Sequence, residues 1–551
     1  MNDINIFALG GLDENGKNCY IFEWNSKIYV VNSGTKIPIN SNNGIDTLIP
    51  NFSYLEKHKD RIEGIFITDV KNESFSALPW LLMKIPNLKI YTSSLNKILI
   101  LDRLSKYKIS NASNRIIVLD KTIKVGEIFV KPLDLAGSMP GHIGLDFITP
   151  DGDVVFMFNF VEGNLGVYGN LNFEQLGKNN FSKRKILALI VDSGRANYNG
   201  KAIDKIQLPQ SIKEAFLAAK SDSRIIVGAY DEEMYALSQI LELAIQTDRP
   251  IITYGKTYGQ VLNIIKKAKP DLPMPKILDY KYSNKIKNAV ILVTGATERL
   301  HARFLRITDN KDVYLKLSKT DTVLMIAPAI NGLESLEAVA LDEIARITPK
   351  IIDITATEFY RHRPAREDLI KLVNILKPTF IIPVQGLYRY LNEATRYISS
   401  ECQVNPKNIL LMQNGQVAHI KGNKLVSTKG KIKEVGDIII DGFGVGDISS
   451  EVINEREVLG REGVILIAAR YSPKTKLITG KIQINYVGVI DKEEKKQANE
   501  LIKSLILNLI ETDKFEGIKD LQNKIRQIVR KKIFKTYNKE PIVAVNFTQV
   551  Q

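Results

Sequence analysis

The chain has 551 residues, 44% of them hydrophobic and 25% charged, with a formal net charge of +15. That length exceeds what one hydrophobic core fills and predicts about three domains, and the composition excludes a disordered or fibrous protein. The basic excess favours a polyanionic partner, nucleic acid or an anionic membrane surface; a genome that writes Lys, Ile and Asn often produces the same excess with no partner.

Only two cysteines occur, Cys19 and Cys402, without a CxxC pair. This excludes a disulfide framework or a cysteine zinc site and fits a reducing compartment. The opening Met1-Asn2-Asp3-Ile4-Asn5-Ile6-Phe7 carries neither a basic leader nor a long apolar segment, so no signal peptide is expected. No apolar run approaches the roughly 18 residues of a membrane span. A cytoplasmic chain without a membrane partner is the expectation.

In chain order, the first third reads as short strands broken by Gly, Asn and Asp turns. Cys19–Phe22, Lys27–Val31, Gly64–Thr68 and Val154–Phe158 are examples, with a helix over Leu78–Lys84. From about residue 206 helix and strand alternate. Helices are expected over Ile212–Ala219 and Glu233–Gln246, and strands at Arg224–Gly228 and Pro250–Gly255. Such alternation predicts a parallel α/β unit. Strand-like segments return at Ile351–Thr355, Phe380–Val384 and Ile409–Met412, and a turn-rich passage from Gly436 to Gly446 sets off a last piece. That piece reads as strands Gly463–Ala469 and Lys481–Val487, two helices with apolar stripes Leu501/Leu505/Leu509 and Leu521/Ile525/Ile528, and a strand from Pro541. The domains expected are 1–205 with 366–445, an insert over 206–365, and a C-terminal α+β domain over 446–551.

Several stretches together resemble ribonuclease J. Gly10-Gly11-Leu12-Asp13-Glu14-Asn15-Gly16-Lys17-Asn18 looks like that family's GGxxExGKN start, and residues 44–55 and 60–68 match the run into its metal motif. Pro383–Arg389 and Met412–Val417 match later motifs. The likeness runs from residue 1 to 551. It implies an α/β fold: a metallo-β-lactamase αββα sandwich, an inserted β-CASP α/β domain and a small C-terminal α+β assembly domain. It also implies a nuclease with two zinc ions, which activate a water and clamp the scissile phosphate through imidazole and carboxylate ligands.

Carried over position by position, that ligand set is missing. The HxHxDH loop falls on Asp69, Lys71, Glu73 and Ser74; the later His falls at Gly137, the bridging Asp at Asn159 and the last His at Gln385. A protonated Lys has no lone pair and repels a divalent cation. The chain has five histidines, His58, His142, His301, His362 and His419, and only His362 sits at a motif position. His142 reads as a loop residue, and His58, His301 and His419 as solvated surface residues. No bound cofactor is expected.

In the insert, Asp192 matches the first carboxylate motif of the β-CASP domain and His362, in Tyr360-Arg361-His362-Arg363, its motif histidine; Glu358 replaces a neighbouring histidine. Asp192, Glu358, Arg361, His362 and Arg363 are therefore the substrate-binding candidates. The Arg-His-Arg run is read either as a phosphate contact or as a turn whose arginines pair with Asp or Glu. The adjacent Asp231, Glu232 and Glu233 oppose phosphate, and Gly295–Arg299 has lost much of the family's polar loop. Lys524, Arg526, Arg530, Lys531, Lys532 and Lys535 form a basic helix face, either solvated or RNA-binding.

The resemblance implies RNA as partner, in mRNA decay and rRNA maturation, with an active ribonuclease J paralogue or a second copy of the chain as dimer or tetramer partner, and other decay factors beside them. The leading expectation is a non-catalytic or weakly active subunit. The alternatives are an enzyme using Mg²⁺ or Mn²⁺ through Asp69, Glu73, Asp192 and Asp134, and a scaffold without RNA contact.

Overall fold

The computed structural model describes residues 2–38, 47–109, 112–359, 361–441, 444–445, 450–472, 474–475, 477–512 and 515–549. Residues 44–46 of the pre-motif run, Tyr360, and Gly446 with part of the turn-rich passage lie outside them. The described residues form two compact units, one running to Ile438 and one from Ile439 onward.

The first unit holds the sandwich and its insert. One sheet has eight strands, in the order 424–431, 416–421, 3–10, 19–24, 27–31, 62–66, 90–92 and 116–118. Its partner has six, in the order 380–384, 186–192, 152–157, 143–149, 128–134 and 123–125. Strands Cys19–Trp24 and Ile186–Asp192 are buried along their whole length, as strands covered on both faces must be. Phe147 is the keystone of the interface: its ring centroid lies 5.2 Å from Phe22, 5.1 Å from Phe66, 5.7 Å from Tyr29 and 5.6 Å from Phe156. Helices Ser94–Lys106 and Tyr388–Glu401 lie against the outer faces. This is the αββα sandwich expected.

The insert is a six-stranded, wholly parallel sheet in the order 277–278, 251–254, 290–295, 225–230, 322–325 and 351–353. Helices such as Met234–Gln246 and Leu300–Thr308 connect its strands. The buried Arg224, just before strand Ile225–Tyr230, fastens its lower edge. Its Nε and Nη2 donate to the two oxygens of Asp321 (2.9 and 2.6 Å), and its nitrogens also reach the carbonyls of Ser283 (2.8 Å) and Lys316 (2.7 Å).

In the second unit, strand Val464–Ser472 pairs antiparallel with Leu477–Val487 and parallel with Ile542–Gln549. Helices Lys495–Thr512 and Ile518–Tyr537 cover it. The first helix buries Ala498, Ile502, Ile506 and Leu509, one position on from the stripe expected at Leu501 and Leu505. Both stripes are apolar, so sequence could not choose the phase. The segment at Ile409 is extended but makes a single bridge, to Ile381, instead of a strand. Among the described residues no helix is long and apolar enough to cross a membrane.

Removing one partner of a buried ion pair leaves the other unpaired and costs about 3–5 kcal/mol. Arg224→Met is therefore expected to destabilise the first unit by that amount in urea denaturation; a loss below about 1 kcal/mol would mean that Arg224 does not hold the insert together.

Candidate functional site

Strand Ile62–Phe66 ends at a loop that Thr68 fixes to Asn32, which donates to the Thr68 hydroxyl (2.9 Å) and accepts from its amide (3.0 Å). Asp69 follows, fully buried, accepting from the Lys71 amide (3.0 Å) and the Thr68 hydroxyl (2.9 Å). His142 Nε2 lies 3.3 Å from its other face. Burial pushes the Asp69 carboxyl up, but His142 and the Lys71 amide and ammonium outweigh that and hold it below the ordinary carboxylate range.

His142 lies in the loop before strand Ile143–Thr149, as expected, but it is buried and faces Asp69, which the sequence did not suggest. A Cβ at Gly137 would stand 2.2 Å from His142 Nδ1, so the imidazole fits only because position 137 has no side chain. His301 is another correction: it is buried on helix Leu300–Thr308, 3.7 Å from Glu337, and burial lowers its pKa to about 4. His58 is half-buried against the Tyr54 ring (4.6 Å), and His419 bonds to Asp3.

The Arg363 guanidinium stands among Glu73, Asn159, Asp192 and Gln385, positions that the resemblance gives to metal or substrate contacts. Nη2 donates to both oxygens of Glu73 (2.9 and 3.1 Å), Nη1 to the Gln385 carbonyl (2.7 Å) and Nε to Asn159 Oδ1 (3.3 Å), with Asp192 at 3.5 Å. Asn159 and Gln385 sit in the left-handed region, at φ +49° and +63°, a backbone state that non-glycine residues hold only when their surroundings enforce it. A Cβ at Gly194 would meet Arg363 Nη1 at 2.1 Å and the Gln385 carbonyl at 2.4 Å, so glycine is required there to admit the guanidinium. Burial works against ionisation of Glu73, yet Arg363 and Lys71 lower its pKa overall; Asp192, more deeply placed, stays raised by burial despite Arg363.

A second cluster adjoins the first. Lys71 Nζ lies 3.8 Å from Glu233, which also bonds the fully buried His362. Burial of Glu233 is overridden by His362 and Lys71, which bring its pKa down to about 2. The Arg361 guanidinium stacks on the Tyr230 ring at 4.6 Å. Glu358 is exposed and closes a turn by accepting from the Thr355 amide (2.7 Å) and hydroxyl (2.8 Å). Of the five substrate-binding candidates, then, Asp192 and Arg363 meet in the first cluster, His362 joins the second, Arg361 borders it and Glu358 lies on the surface. For Arg363 the geometry corrects the phosphate-contact reading: its donors are taken up inside the protein. Asp134 is exposed at the end of a strand and joins neither cluster.

A cavity of about 390 Å³ opens beside these clusters, lined by loops of the sandwich and of the insert. Eight carboxylates line it against five Lys and Arg side chains. Burial raises Asp231 to about 6 and, with Asp231 beside it, Glu232 to about 8. Of the opposition to phosphate expected from residues 231–233, Asp231 keeps most of its charge at neutral pH, Glu232 is largely protonated, and Glu233 is matched by cations.

The residues present do not fit a dinuclear zinc centre. An ammonium and a guanidinium stand among the donors, Gly137 offers none, and the carboxylates that remain are engaged by Arg363, His142 and backbone amides. Among the described residues no group of three or more His, Cys, Asp or Glu is arranged to hold a metal ion. Sequence reasoning missed the inward roles of His142, Gly194 and Glu233; what the glycines at 137 and 194 make room for is seen only once the fold brings His142 and Arg363 beside them.

A metallo-β-lactamase sandwich carrying a parallel α/β insert at this site defines the β-CASP class. Residues 222–344 match the family "Ribonuclease J, beta-CASP domain" and residues 451–550 the "Ribonuclease J C-terminal domain". The chain is similar to uncharacterized protein MG423 of Mycoplasma genitalium (28% identity, covering 99% of this chain and 96% of that one). It is also similar to Ribonuclease J2 of Bacillus subtilis (26%, 98% of each) and to Ribonuclease J 2 of Staphylococcus aureus (25%, 98% and 97%). A crystal structure of a protein of unknown function from Enterococcus faecalis V583 matches in fold, with a TM-score of 0.50 at 13% identity over 76% of this chain and 100% of that one. The two matched stretches, together with relatives named Ribonuclease J2 along nearly the whole chain, support a member of the ribonuclease J family.

Two outcomes follow from the site. Arg363→Ala strands Glu73 and Asp192 without their cation and is expected to cost about 3–5 kcal/mol, with Arg363→Lys recovering only part because it lacks the planar fork; urea midpoints of the three chains decide this. Glu232 titrates near 8 when folded against about 4.3 when unfolded, so its protonated form is favoured by folding and that contribution is lost as pH rises through 8. Glu232→Gln should therefore raise the melting temperature at pH 9 relative to wild type and leave it nearly unchanged at pH 4; equal shifts at both would refute the burial of that carboxyl.

Proposed function

We propose that this chain is a non-catalytic, or at most weakly active, subunit of ribonuclease J-type RNA processing that assembles with an active ribonuclease J in the cytoplasm. One observation carries the reading: the Arg363 guanidinium, bonded to Glu73, Asn159 and Gln385 and ion-paired with Asp192, stands where the ligand positions of a two-metal hydrolase converge. Hydrolysis of a phosphodiester by this family's chemistry needs a metal-bound water held in line with the leaving oxygen, and neither Lys71 nor Arg363 can supply one. An Mg²⁺ or Mn²⁺ centre would have to draw Asp69, Glu73 and Asp192 away from His142 and Arg363. The C-terminal unit, with its complete core, supports a role in assembly, and the two cysteines, both free, suit a reducing compartment.

Purified chain is expected to contain less than one equivalent of zinc or manganese by elemental analysis, and to hydrolyse 5′-monophosphorylated RNA in Mn²⁺ no faster than its Glu73→Ala variant. A tagged chain should bring down an active ribonuclease J. Two metals per subunit, or hydrolysis abolished by Glu73→Ala, would overturn the non-catalytic reading; a strictly monomeric chain that captures no nuclease would overturn the assembly.

A further inference from the structure

Four tyrosines are exposed among the large hydrophobic side chains described, and three of them, Tyr280 (41% exposed), Tyr282 (47%) and Tyr314 (40%), gather on two loops of the insert. The loops, 279–287 and 311–319, share one base. Arg224 bonds the carbonyls of Ser283 and Lys316, and Asn284 Oδ1 accepts from the Lys316 amide (3.0 Å). Above it Tyr280 and Tyr314 pack edge to face with centroids 5.0 Å apart, and Tyr254 lies 6.4 Å behind Tyr280. The rings are thus held firmly while keeping open surface.

Exposed Lys281, Lys285, Lys287, Lys316 and Lys319 surround them, with Lys285 Nζ 6.0 Å from the Tyr282 ring centroid. The nearby acids are committed locally. Asp279 accepts from the Lys281 amide (2.9 Å), Asp309 pairs with Lys311 (2.8 Å), and Asp312 bonds the Tyr254 hydroxyl and the Tyr314 and Leu315 amides (3.0 and 3.1 Å).

Topology separates this surface from the cavity. Both loops lead into the amino ends of parallel strands, Val290–Gly295 and Thr322–Met325, whereas the cavity is lined by segments after the carboxyl ends, Ala296–Glu298 and Pro328–Asn331. Tyr280 and Tyr282 follow edge strand Ile277–Leu278, and no residue of either loop lines the cavity.

The geometry points to a binding site for single-stranded RNA on this outer edge of the insert, the three tyrosines stacking unpaired bases and the lysines following the phosphates. Fixed, half-exposed rings among exposed cations are what sequence-tolerant single-strand recognition uses; a duplex keeps its base faces covered and could take only the charge. The site goes beyond the proposed function and rests only on its RNA-processing part. It concerns binding rather than hydrolysis, so a chain that proved catalytic or unassembled would sink that reading and leave this one standing.

The test uses the full chain and a fluorescein-labelled, unstructured 20-nucleotide RNA, with anisotropy followed at several salt concentrations. Tyr280→Ala/Tyr282→Ala/Tyr314→Ala is expected to weaken binding about tenfold or more with little change in salt slope, and the corresponding triple Phe variant to bind within about twofold of wild type. Replacing Lys281, Lys285, Lys316 and Lys319 by Gln should reduce the slope by about 0.7 for each phosphate no longer neutralised. Should the triple Ala chain melt early, Tyr282→Ala alone and the Lys variant carry the test, since neither disturbs the Tyr280–Tyr314 pair. Wild-type affinity in the Ala chain, equal loss in the Phe chain, or unchanged RNA binding alongside lost binding to phosphatidylserine vesicles or to a partner protein would each refute the RNA site.

Discussion

Glu73 and Asp192 project into the interior of the sandwich, and two carboxylates cannot be desolvated side by side without a cation between them. In this chain that cation is the Arg363 side chain. Much of the surrounding architecture follows from the requirement: Gly194 leaves room for the guanidinium, the Gln385 carbonyl and Asn159 Oδ1 take its remaining donors, and the tight turn in which the Arg363 amide donates to the Arg361 carbonyl (2.7 Å) aims the side chain inward. Arg363 comes from the segment that closes the insert, while Glu73, Asn159, Asp192 and Gln385 belong to the sandwich, so one side chain also couples the two parts of the first unit.

The same residue shows where sequence reading stops. Strands buried on both faces, the helix at Leu78–Lys84 and the alternating insert were legible because each is written in local periodicity. The missing ligands were legible because a lost imidazole is visible letter by letter. The inward turn of Arg363 was not: its partner Glu73 is 290 residues away, and nothing beside an Arg-His-Arg run says whether its charge meets phosphate outside or carboxylate inside. His142 was misread for a related reason. A histidine five places from a vacated ligand position looks incidental until the backbone shows that the absent side chain at Gly137 and the ring of His142 claim one volume. In the last domain two adjacent apolar stripes on helix Lys495–Thr512 left its phase undetermined, and packing chose Ile502 and Ile506.

Charge is distributed in a way the net value of +15 conceals. Carboxylates outnumber cations around the cavity, and burial holds Asp231 and Glu232 partly protonated, so a phosphate entering there meets poor electrostatic complementarity. Exposed lysines sit on loops 279–287 and 311–319, which do not line the cavity, and within the second unit helix Ile518–Tyr537 carries seven Lys and Arg against one Asp. These basic segments attract a polyanion better than the carboxylate-lined cavity does.

The residues at the positions that the resemblance gives to metal ligands come in matched sets. Gly137 accommodates His142, which reaches Asp69; Gly194 accommodates Arg363, which reaches Glu73 and Asp192; Glu233 lies between Lys71 and His362. A hydrolase that had merely lost ligands would be left with a hole and unpaired buried charge, and each such defect costs enough to threaten a domain whose total stability is about 5–15 kcal/mol. Here every remaining carboxylate has a cation or hydrogen-bond donors, and Asn159 and Gln385 keep the left-handed backbone that presents them to the centre. Neutralising and fastening the loops that meet there is a duty that side chains can carry as well as a metal, whereas lowering the pKa of a bound water is not open to a guanidinium, which has no lone pair to give or vacant orbital to accept one.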